Sequence, residues 1–491
     1  IKDTHRPKKD ELDIDKLSPA KKRLVTEELI ANQIGMRQIK RASKKQSSMS
    51  LKLTNLKDQI ISKLPFELTE SQKNVGQQIS ADLALDQPMM RLLQGDVGSG
   101  KTVVAGMAIS IAIDSGFQSV LMAPTELLAE QHKHSLDQWF EPLGIQTGLL
   151  KSKLKASEKR LLIESIASGN CQIIIGTHAL FQESIKYNNL ALVVVDEQHR
   201  FGVEQRYSLI KKATHNGIVP HQLIMTATPI PRTLAMTAYG DLDNSIISEL
   251  PSGRGEITTL CLSEDKRADV VKKALREIEK GRQVYWVCPL IEESEEHNRE
   301  SAEATFKKLS KELEGHRIGL VHGKLSVDKK NKAMSDFKKH DLDLLVATTV
   351  IEVGVDVPNA SMMIIENTER LGLSQLHQLR GRVGRGEHES FCVMLYKNPL
   401  GETAKQRLEV IRSSTDGFYI SEKDLELRGP GEILGIRQKG VVGLKIADIS
   451  RDAYLIPKIN KVCDQFENNY PEQSKKLVRR WIGNQINYRN V

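Results

Sequence analysis

The sequence predicts an α/β fold of two consecutive domains, each built on a parallel β-sheet covered by helices. Short, nearly continuous apolar runs alternate with helical segments, as expected for parallel strands that are buried on both faces. The runs form two series separated by the Pro/Gly-rich stretch 249–256, which predicts an interdomain linker. A length of 491 residues is also enough for two or three domains.

The predicted strands coincide with the apolar runs. In the first series these runs are SVLMAP (119–124), QIIIGT (172–177), LALVVVDE (190–197) and HQLIMTAT (221–228). In the second series they are QVYWVCPL (283–290), RIGLVHG (317–323), DLLVATT (343–349) and SMMIIEN (361–367). The chain after about residue 400 is mixed in character and ends in a polar, helical segment.

The first 60 residues predict a long helix that packs on a neighbouring domain. Ser18 and Pro19 are a favourable N-cap and first helical residue, and apolar residues follow at helical spacing at positions 25, 29, 36 and 39. The basic stretch KRASKKQSS (40–48) predicts a solvated charged surface, with contact to nucleic acid as the alternative. Because the first residue is Ile1, we expect a fragment or a processed product.

The composition favours a cytoplasmic protein with a polyanionic partner. The net charge is +8 and the pI is about 9.0. The longest apolar stretch, Thr102 to Ile113, is too short for a membrane helix, and no charged and apolar leader opens the chain. The five cysteines are scattered without a C-x-x-C pair, which argues against a zinc site or a disulfide framework.

A glycine-rich loop in the first domain predicts a nucleotide site. Gly95, four further residues and then Gly100, Lys101 and Thr102 match the phosphate-binding loop, and Gly98 lies within it. The loop stands between a short strand and a buried helix, so its N–H groups face a phosphate; a chance match is the alternative. Lys101 is expected to reach the β- and γ-phosphates of ATP, and the Thr102 hydroxyl to bind Mg²⁺.

An acidic pair follows an apolar strand of the same domain. Asp196 and Glu197 stand at the carboxyl end of that strand, where ligands of parallel sheets bind. Asp196 is expected to hold Mg²⁺, and Glu197 to orient and deprotonate the attacking water. The alternative is an ordinary acidic loop. TATPIPR (226–232) follows the next strand, and its hydroxyl groups are candidates to relay the presence of the γ-phosphate.

The second domain contains the arginine-rich stretch QLRGRVGRG (378–386). Arg382 and Arg385 are three residues apart and would share one face of a helical turn. We expect them to neutralise the charge of the transition state from across the cleft, with a solvated basic turn as the alternative. Gly381 and Gly384 precede the two arginines and allow a close approach of the backbone. A nucleotide between two domains indicates a fuel rather than a passive switch.

These motifs occur in the order found in superfamily-two helicases. The set comprises the glycine-rich loop, APTELLAEQH (123–132), DEQH, TATP, ATTVIEVGVDVPNA (347–360) and QLRGRVGRG. DEQHRFGVEQR (196–206), DGFYISEKDLELRGPGEILGIRQKG (416–440) and LPFELTESQ (64–72) resemble more narrowly the RecG family of bacterial branch-migrating DNA translocases. The Mfd translocases are close relatives of this family, and the resemblance runs from about residue 17 to 465.

The resemblance implies two RecA-like (P-loop) domains and a translocation element. It assigns residues 1–60 to a linker helix that would follow a wedge domain at the branch point, which we expect to be absent. Residues 61–250 and 251–400 would be the two motor domains. Residues 401–491 would form a helical-hairpin translocation element and a helical tail.

The resemblance also implies roles for individual residues. Gln72 would contact the adenine edge, Phe66 would pack nearby, and Asp356 would contact the ribose or the interdomain face. Phosphates of a nucleic acid would be held by Thr125, Thr177 and Thr348. The family's translocation motif corresponds to Arg412, Arg428 and Gln438.

Together these features predict an ATP-hydrolysing double-stranded DNA translocase. The resemblance implies branch migration and remodelling of stalled forks and Holliday junctions in recombination and repair. Expected partners are duplex or branched DNA and a single-stranded DNA-binding protein; we expect a monomer and no membrane contact. Aromatic residues make up only 4% of the chain, which leaves little material for stacking single-stranded bases.

Three alternatives remain. An Mfd-like translocase would push RNA polymerase, but it needs an added polymerase-binding module. A nucleotide-gated clamp would bind DNA without moving. An RNA helicase shares the core motifs but lacks the segment after the motor domains.

Overall fold

The computed structural model describes residues 19–52, 55–151, 154–197, 212, 214, 217–227, 229, 231, 242–251, 255–289, 295–348, 357–386, 388–428 and 444–483.

The described part of the chain begins with the long helix α1 (Pro19–Lys44), and the part that we call lobe 1 follows. Lobe 1 contains α2 (Leu56–Lys63), α3 (Glu70–Leu83), β1 (Met90–Gly95), α4 (Lys101–Asp114), β2 (Gln118–Met122), α5 (Glu126–Phe140), β3 (Thr147–Leu150), α6 (Ala156–Ser168), β4 (Ile173–Gly176), β5 (Leu190–Asp196), β6 (His221–Thr226) and β7 (Asp243–Ile247).

The seven strands of lobe 1 form one parallel sheet in the order β3-β4-β2-β5-β6-β1-β7. Strands β2, β4, β5 and β6 are buried along their whole length, which explains why they are apolar without alternation. Helix α4 is buried from Val103 to Ile113 and carries the glycine-rich loop at its N-terminus. The carboxyl ends of β1 and β5 therefore bring the loop and the acidic pair to the same edge of the sheet.

Lobe 2 is a second α/β unit. It contains β8 (Ile257–Ser263), α7 (Arg267–Glu279), β9 (Gln283–Val287), α8 (Glu295–Glu312), β10 (Ile318–Val321), α9 (Val327–Lys338), β11 (Leu344–Ala347), β12 (Ala360–Ile365), α10 (Leu373–Arg380) and β13 (Ser390–Tyr396). Its strands are parallel, in the order β10-β11-β9-β12-β13-β8. The predicted α/β class with two parallel sheets is therefore confirmed.

Helices follow lobe 2 to the end of the described chain. They are α11 (Glu402–Ser413), α12 (Gly417–Arg428), α13 (Ile449–Asp452), α14 (Ile456–Asn469) and α15 (Pro471–Trp481). Helices α11 and α12 pack against each other as a hairpin beside α10. The last two helices return to α1, where Val25 and Leu29 share a core with Ile459 and Val478. Contact between the two ends of the chain was not predicted.

Each of the eight apolar runs contains an observed strand, and the glycine-rich loop lies between a strand and a helix as predicted. Four strands were missed: β3, β7, β8 and β13. The first three are sheet edges or partly exposed, so their apolar pattern is weaker. Strand β13 has the same apolar character as its neighbours and could have been predicted from the sequence. Within the described ranges, no helix has the length and apolar composition required to cross a bilayer.

Candidate nucleotide and coupling site

The glycine-rich loop has the backbone form of a phosphate cradle. Gly98 and Gly100 have φ values of +79° and +84°, a left-handed conformation that glycine adopts without steric cost. Gly100 is the residue before the first turn of α4, so the N–H groups of that turn and the positive end of the helix face the loop. A side chain at Gly95 would collide with Ser99. The loop therefore fits the phosphates of a nucleotide.

Lys101 is folded onto this loop. Its Nζ donates to the carbonyl oxygens of Gly95 at 2.7 Å and of Asp96 at 2.9 Å. Burial lowers the pKa of Lys101, and the charges of Glu197 and Asp196 oppose that shift. The next residue, Thr102, is half-buried at the start of α4. The cation is therefore positioned at the loop among acidic groups.

The acidic pair at the end of β5 consists of Asp196, the last residue of the strand, and Glu197, and the pKa values of the two carboxyl groups are shifted in opposite directions. Burial opposes ionisation of Asp196, but a hydrogen bond and the charge of His132, together with Lys101, hold its pKa below the usual value. Burial and the charge of Asp196 raise the pKa of Glu197. Asp196 therefore stays ionised and is suited to binding a metal cation. Glu197 is the more basic of the two carboxylates and is suited to accepting a proton.

The backbone at Glu197 is unusual. Its φ is +52°, a left-handed conformation that is uncommon for a residue with a long side chain. The Ala227 N–H group lies 3.5 Å from Glu197 Oε2, which connects the pair to the segment after β6. Such conformations persist where the surrounding structure fixes a functional side chain.

His132 is a site residue that sequence reasoning missed. It lies on α5 and is 6% exposed, and its Nε2 is 2.7 Å from Asp196 Oδ2. The signal was present in the motif APTELLAEQH, which ends at this histidine. A buried histidine on a helix beside the strand of an acidic pair is a natural partner for one of those acids.

Gln72 contacts the loop from the start of α3. Its Nε2 donates to Ser99 O at 2.8 Å, and its Oε1 accepts from Thr69 N at 2.9 Å within a capping box. Phe66 is 45% exposed and lines a surface cavity of about 710 Å³ together with Leu64 and Lys73. The roles assigned to Gln72 and Phe66 beside the adenine stay predictions.

Lobe 2 brings its arginines to this site. The charge of Arg385 acts on Lys101, and that of Arg382 acts on Glu197. The expected placement on one face of a helical turn is wrong, because α10 ends at Arg380 and both arginines lie in the turn that follows. Gly384 has a φ of +74° in that turn, which interrupts helical geometry.

The lobes also meet at a pair of groups that was not predicted. His377 Nε2 on α10 lies 2.6 Å from Oδ1 of Asp96 in the glycine-rich loop. Burial opposes ionisation of Asp96, but the hydrogen bond and charge of His377 hold its pKa below the usual value. On its other side, His377 Nδ1 is 2.9 Å from Nη2 of Arg380. Gly381 is close enough to Val97 that a methyl group would lie 2.9 Å from it.

Helix α12 touches this junction. A methyl group on Gly417 would lie 2.7 Å from His377 Nε2, 3.0 Å from Asp96 Oδ2 and 3.0 Å from Pro229 Cγ. One turn later, the Ser421 hydroxyl donates to Pro229 O, and Ser374 Oγ donates to Asp424 at 2.6 Å. The helix after the two lobes therefore contacts the glycine-rich loop, the segment after β6 and α10.

The three threonines predicted to hold nucleic acid lie just after strands of the two sheets. Thr125 is the N-cap of α5, and its Oγ1 accepts from Leu128 N at 3.3 Å. Thr177 and Thr348 are 3% and 2% exposed, and among the described groups their hydroxyls have no hydrogen-bond partner. Their contact with phosphates stays a prediction.

The predicted translocation residues are described only in part. Arg412 is exposed in the last turn of α11. Arg428 is the last residue of α12, and its side chain lies outside the described part. Asp356 and Gln438 also lie outside the described residues.

Comparison with known proteins assigns three regions to family models. Residues 71–237 match the DEAD/DEAH box helicase model, and residues 266–387 match the helicase conserved C-terminal domain. Residues 414–481 match domain 3, C-terminal, of ATP-dependent DNA helicase RecG. The third match covers α12 and the helices that return to α1.

Whole-chain relatives agree with these assignments. The chain is 53% identical to ATP-dependent DNA helicase RecG of Haemophilus influenzae and 53% identical to that of Escherichia coli K12. Each alignment covers 96% of this chain and 68% of the relative. The structure of RecG bound to a three-way DNA junction matches with a TM-score of 0.73 at 42% identity, over 89% of this chain and 57% of that one. The chain belongs to the RecG family of ATP-dependent DNA helicases.

Proposed function

We propose that this chain is a motor that uses ATP to move along double-stranded DNA and to remodel forks and Holliday junctions. The observation that carries the proposal is the contact of α12 with both sides of the nucleotide cleft, through Gly417 and Ser421. A helix in this position is displaced when the distance between the lobes changes. The match of residues 414–481 to the RecG model supports this function over an Mfd-like one.

The site residues support the following chemistry. Lys101 and the N–H groups of the loop bind the phosphates, and Thr102 and Asp196 supply oxygen ligands of the kind that Mg²⁺ prefers. Glu197 accepts the proton of the attacking water, for which its raised pKa makes it suitable. Arg382 and Arg385 add positive charge from lobe 2 only when the cleft is closed. Hydrolysis would then weaken closure and return α12 to its open position.

Branched DNA suits such a motor on energetic grounds. Each step of branch migration separates one base pair, which costs about 1.4 kcal/mol of stacking, and forms another. The net cost is close to zero, so ATP mainly supplies direction. Phosphate contacts along a duplex are sufficient for this task because they read charge and geometry rather than sequence. The RecG structure bound to a three-way DNA junction supports a branched substrate for this chain.

We extend the proposal to features expected from the sequence. The lobes correspond to motor domains at 61–250 and 251–400, between a linker helix at 1–60 and a translocation region at 401–491. We further propose a cytoplasmic monomer with a single-stranded DNA-binding protein as an additional partner. Sedimentation at several protein concentrations tests the monomer, and pull-down with that protein tests the partner.

The deciding experiment compares DNA-stimulated ATP turnover on duplex, single strand, fork and four-way junction, together with displacement of a third strand from a triplex. We expect stimulation by duplex and branched DNA above that by single strand, with displacement that requires ATP. Turnover without displacement would instead indicate a nucleotide-gated clamp. Stimulation by single-stranded RNA would indicate an RNA helicase.

A further inference from the structure

Three polar side chains join the glycine-rich loop of lobe 1 to helix α10 of lobe 2. They are Asp96, His377 and Arg380, which we call the bridge. His377 and Arg380 are 6% and 2% exposed, and Asp96 is half-buried. Polar groups buried to this degree must find their hydrogen bonds and counter-charges within the protein. The bridge has no part in the chemistry proposed above, so its place at the cleft calls for a separate explanation.

The partners of His377 fix which of its ring nitrogens carries the proton. Arginine has only donor groups, so Arg380 Nη2 donates to His377 Nδ1 at 2.9 Å, and Nδ1 must be the acceptor. The proton of the neutral imidazole is therefore on Nε2, which donates to Asp96 Oδ1 at 2.6 Å. His377 thus links a buried cation of lobe 2 to an anion of lobe 1 without adding a charge of its own.

The counter-charge of Arg380 comes from the other lobe. Its Nη1 donates to Ile411 O at 2.7 Å and to Ser414 O at 2.8 Å, and both acceptors are neutral carbonyl groups. Burial lowers the pKa of Arg380, while Cys392 and Asp96 oppose that shift. Burial raises the pKa of the Cys392 thiol to about 12, so the thiol stays neutral and Asp96 is the ionised group of the two. Separation of the lobes would take this anion away from Arg380.

The backbones beside the bridge are also close together. A methyl group on Gly381, the residue after Arg380, would lie 2.9 Å from the Cβ atom of Val97, the residue after Asp96. Asp96 Oδ1 accepts a hydrogen bond from Val97 N at 2.6 Å as well as the one from His377. The same carboxylate therefore supports the turn of the glycine-rich loop and the contact with lobe 2.

We propose that His377 is a positioning residue that sets the affinity for ATP. By pairing with Asp96 it favours the closed cleft before ATP binds, so that ATP meets a preformed site with the arginines of lobe 2 nearby. The apparent Kd of a ligand rises as the fraction of protein in the binding-competent form falls. Without the bridge, part of the binding free energy of ATP is used to close the cleft. The inference rests on the proposed role of the glycine-rich loop in binding ATP, but not on movement along DNA.

The test compares His377→Leu with His377→Gln in the full chain. Leucine has a similar size but no hydrogen-bonding group, whereas glutamine keeps an N–H donor for Asp96 and a carbonyl acceptor for Arg380. The control is His134→Leu, because His134 is exposed and its hydrogen bond to Gln138 lies within helix α5. We measure the Kd of a fluorescent ATP analogue, and the KM for ATP and kcat with duplex DNA.

We expect His377→Leu to raise the Kd and the KM by about tenfold, with kcat within about threefold of the unmodified chain, because saturating ATP restores closure. His377→Gln should stay within about threefold in all three quantities, and His134→Leu should change none of them. In an Asp96→Ala background, His377→Leu should have no further effect on KM. An unchanged KM in His377→Leu, or the same rise of KM in both backgrounds, would overturn the inference.

The separation of the lobes is measured independently of turnover. Small-angle X-ray scattering of the nucleotide-free protein should give a larger radius of gyration for His377→Leu than for the unmodified chain. A saturating nonhydrolysable ATP analogue should make the two radii equal. Equal radii without nucleotide would overturn the inference. Lys101→Ala tests the site itself, because normal ATP affinity in that variant would instead refute the proposed role of the glycine-rich loop.

Discussion

Strands β5 and β12 occupy the same fourth place in their parallel sheets, and an acidic residue stands at the end of each. At the end of β5, Asp196 lies beside His132 and Lys101, and Glu197 lies near Lys101 and Arg382. After β12, Glu366 accepts hydrogen bonds from Trp286 Nε1 at 2.9 Å and from Arg267 Nε at 3.2 Å. The same topological position therefore carries the proposed catalytic acids in one lobe and an acid that links elements within the other lobe.

The backbone conformation after these two strands is similar, but the residue that adopts it differs. Both turns contain a left-handed residue, which is Asn367 with a φ of +49° in lobe 2 and Glu197 with a φ of +52° in lobe 1. Asparagine adopts this conformation readily, whereas glutamate does so at a cost. Lobe 1 thus accepts local strain to hold Glu197 in place. The carboxyl edge of a parallel sheet is a common place for ligands to bind. Whether a ligand can bind there depends on whether the side chains at that edge are already paired with other residues of the lobe.

Strands β1 and β8, which also correspond in position, give a second contrast. Strand β1 leads into a loop whose glycines have positive φ and then into α4. Strand β8 leads into the short turn Glu264–Lys266 and then α7, and that turn has no glycine. Only lobe 1 has a phosphate cradle after this strand. Lobe 2 contributes cations to the cleft from α10 and the turn after it.

The largest effects should come from removing cations on opposite sides of the cleft. Lys101→Ala should weaken ATP binding, because this charge meets the phosphates before reaction. Arg385→Ala should leave binding nearly intact and slow hydrolysis on the order of 10³-fold or more. Equilibrium binding of a fluorescent nucleotide and single-turnover hydrolysis separate the two. Equal losses of ATP affinity in the two variants would show that Lys101 and Arg385 do not have these separate roles.

The contrast between the two acidic positions gives the next effect. Glu197→Gln should reduce DNA-stimulated kcat by about 10²- to 10⁴-fold, the usual contribution of a general base. Glu366→Gln should lower the Tm while kcat changes by less than about threefold, because the hydrogen bonds of Glu366 to described side chains all lie within lobe 2. Steady-state kinetics and thermal unfolding of both variants provide the comparison. A similar fall in kcat for both would remove the distinction between the strands.

A smaller effect is expected where α12 meets the cleft. Gly417→Ala places a methyl group against His377 and Asp96, so α12 must shift and DNA-stimulated kcat should fall by about tenfold. Gly401→Ala is the control, because a methyl group there meets nothing within 4 Å. Both variants are assayed with saturating ATP on duplex DNA. Normal turnover in Gly417→Ala would mean that this contact does not couple the helix to the site.

The smallest effect is a shift in pH dependence. Glu197 acts as a base only when ionised, so kcat should fall as the pH drops through its raised pKa, above the usual value of 4.5. The positive charge of Arg382 lowers this pKa. Arg382→Ala should therefore move the acid limb of the kcat profile to higher pH, by less than about one unit, and Arg382→Lys should not. An acid limb at the same pH in both variants would contradict the assignment.

Much of the fold and half of the site were accessible from the sequence because their signals are local. Uninterrupted apolar runs predicted the buried strands, and glycine spacing predicted the loop before α4. Asp196 and Glu197 were found because they directly follow such a run. His132 ends the motif APTELLAEQH, but that motif does not name the acid that the histidine meets, and nothing near His377 in the sequence indicated Asp96 as its partner.

The sequence alone determined two parallel sheets, one phosphate loop and the family resemblance, since each depends on neighbouring residues or fixed spacing. Only the tertiary structure decided the pairing of Asp96 with His377, 281 positions apart, and of Glu28 with the backbone N–H groups of Ile446 and Ala447, more than 400 positions apart. It also decided the different surroundings of Glu197 and Glu366, which follow strands at equivalent places in the two sheets. Hydrogen bonds and charge effects depend on distances of a few ångströms, and packing of distant segments sets those distances.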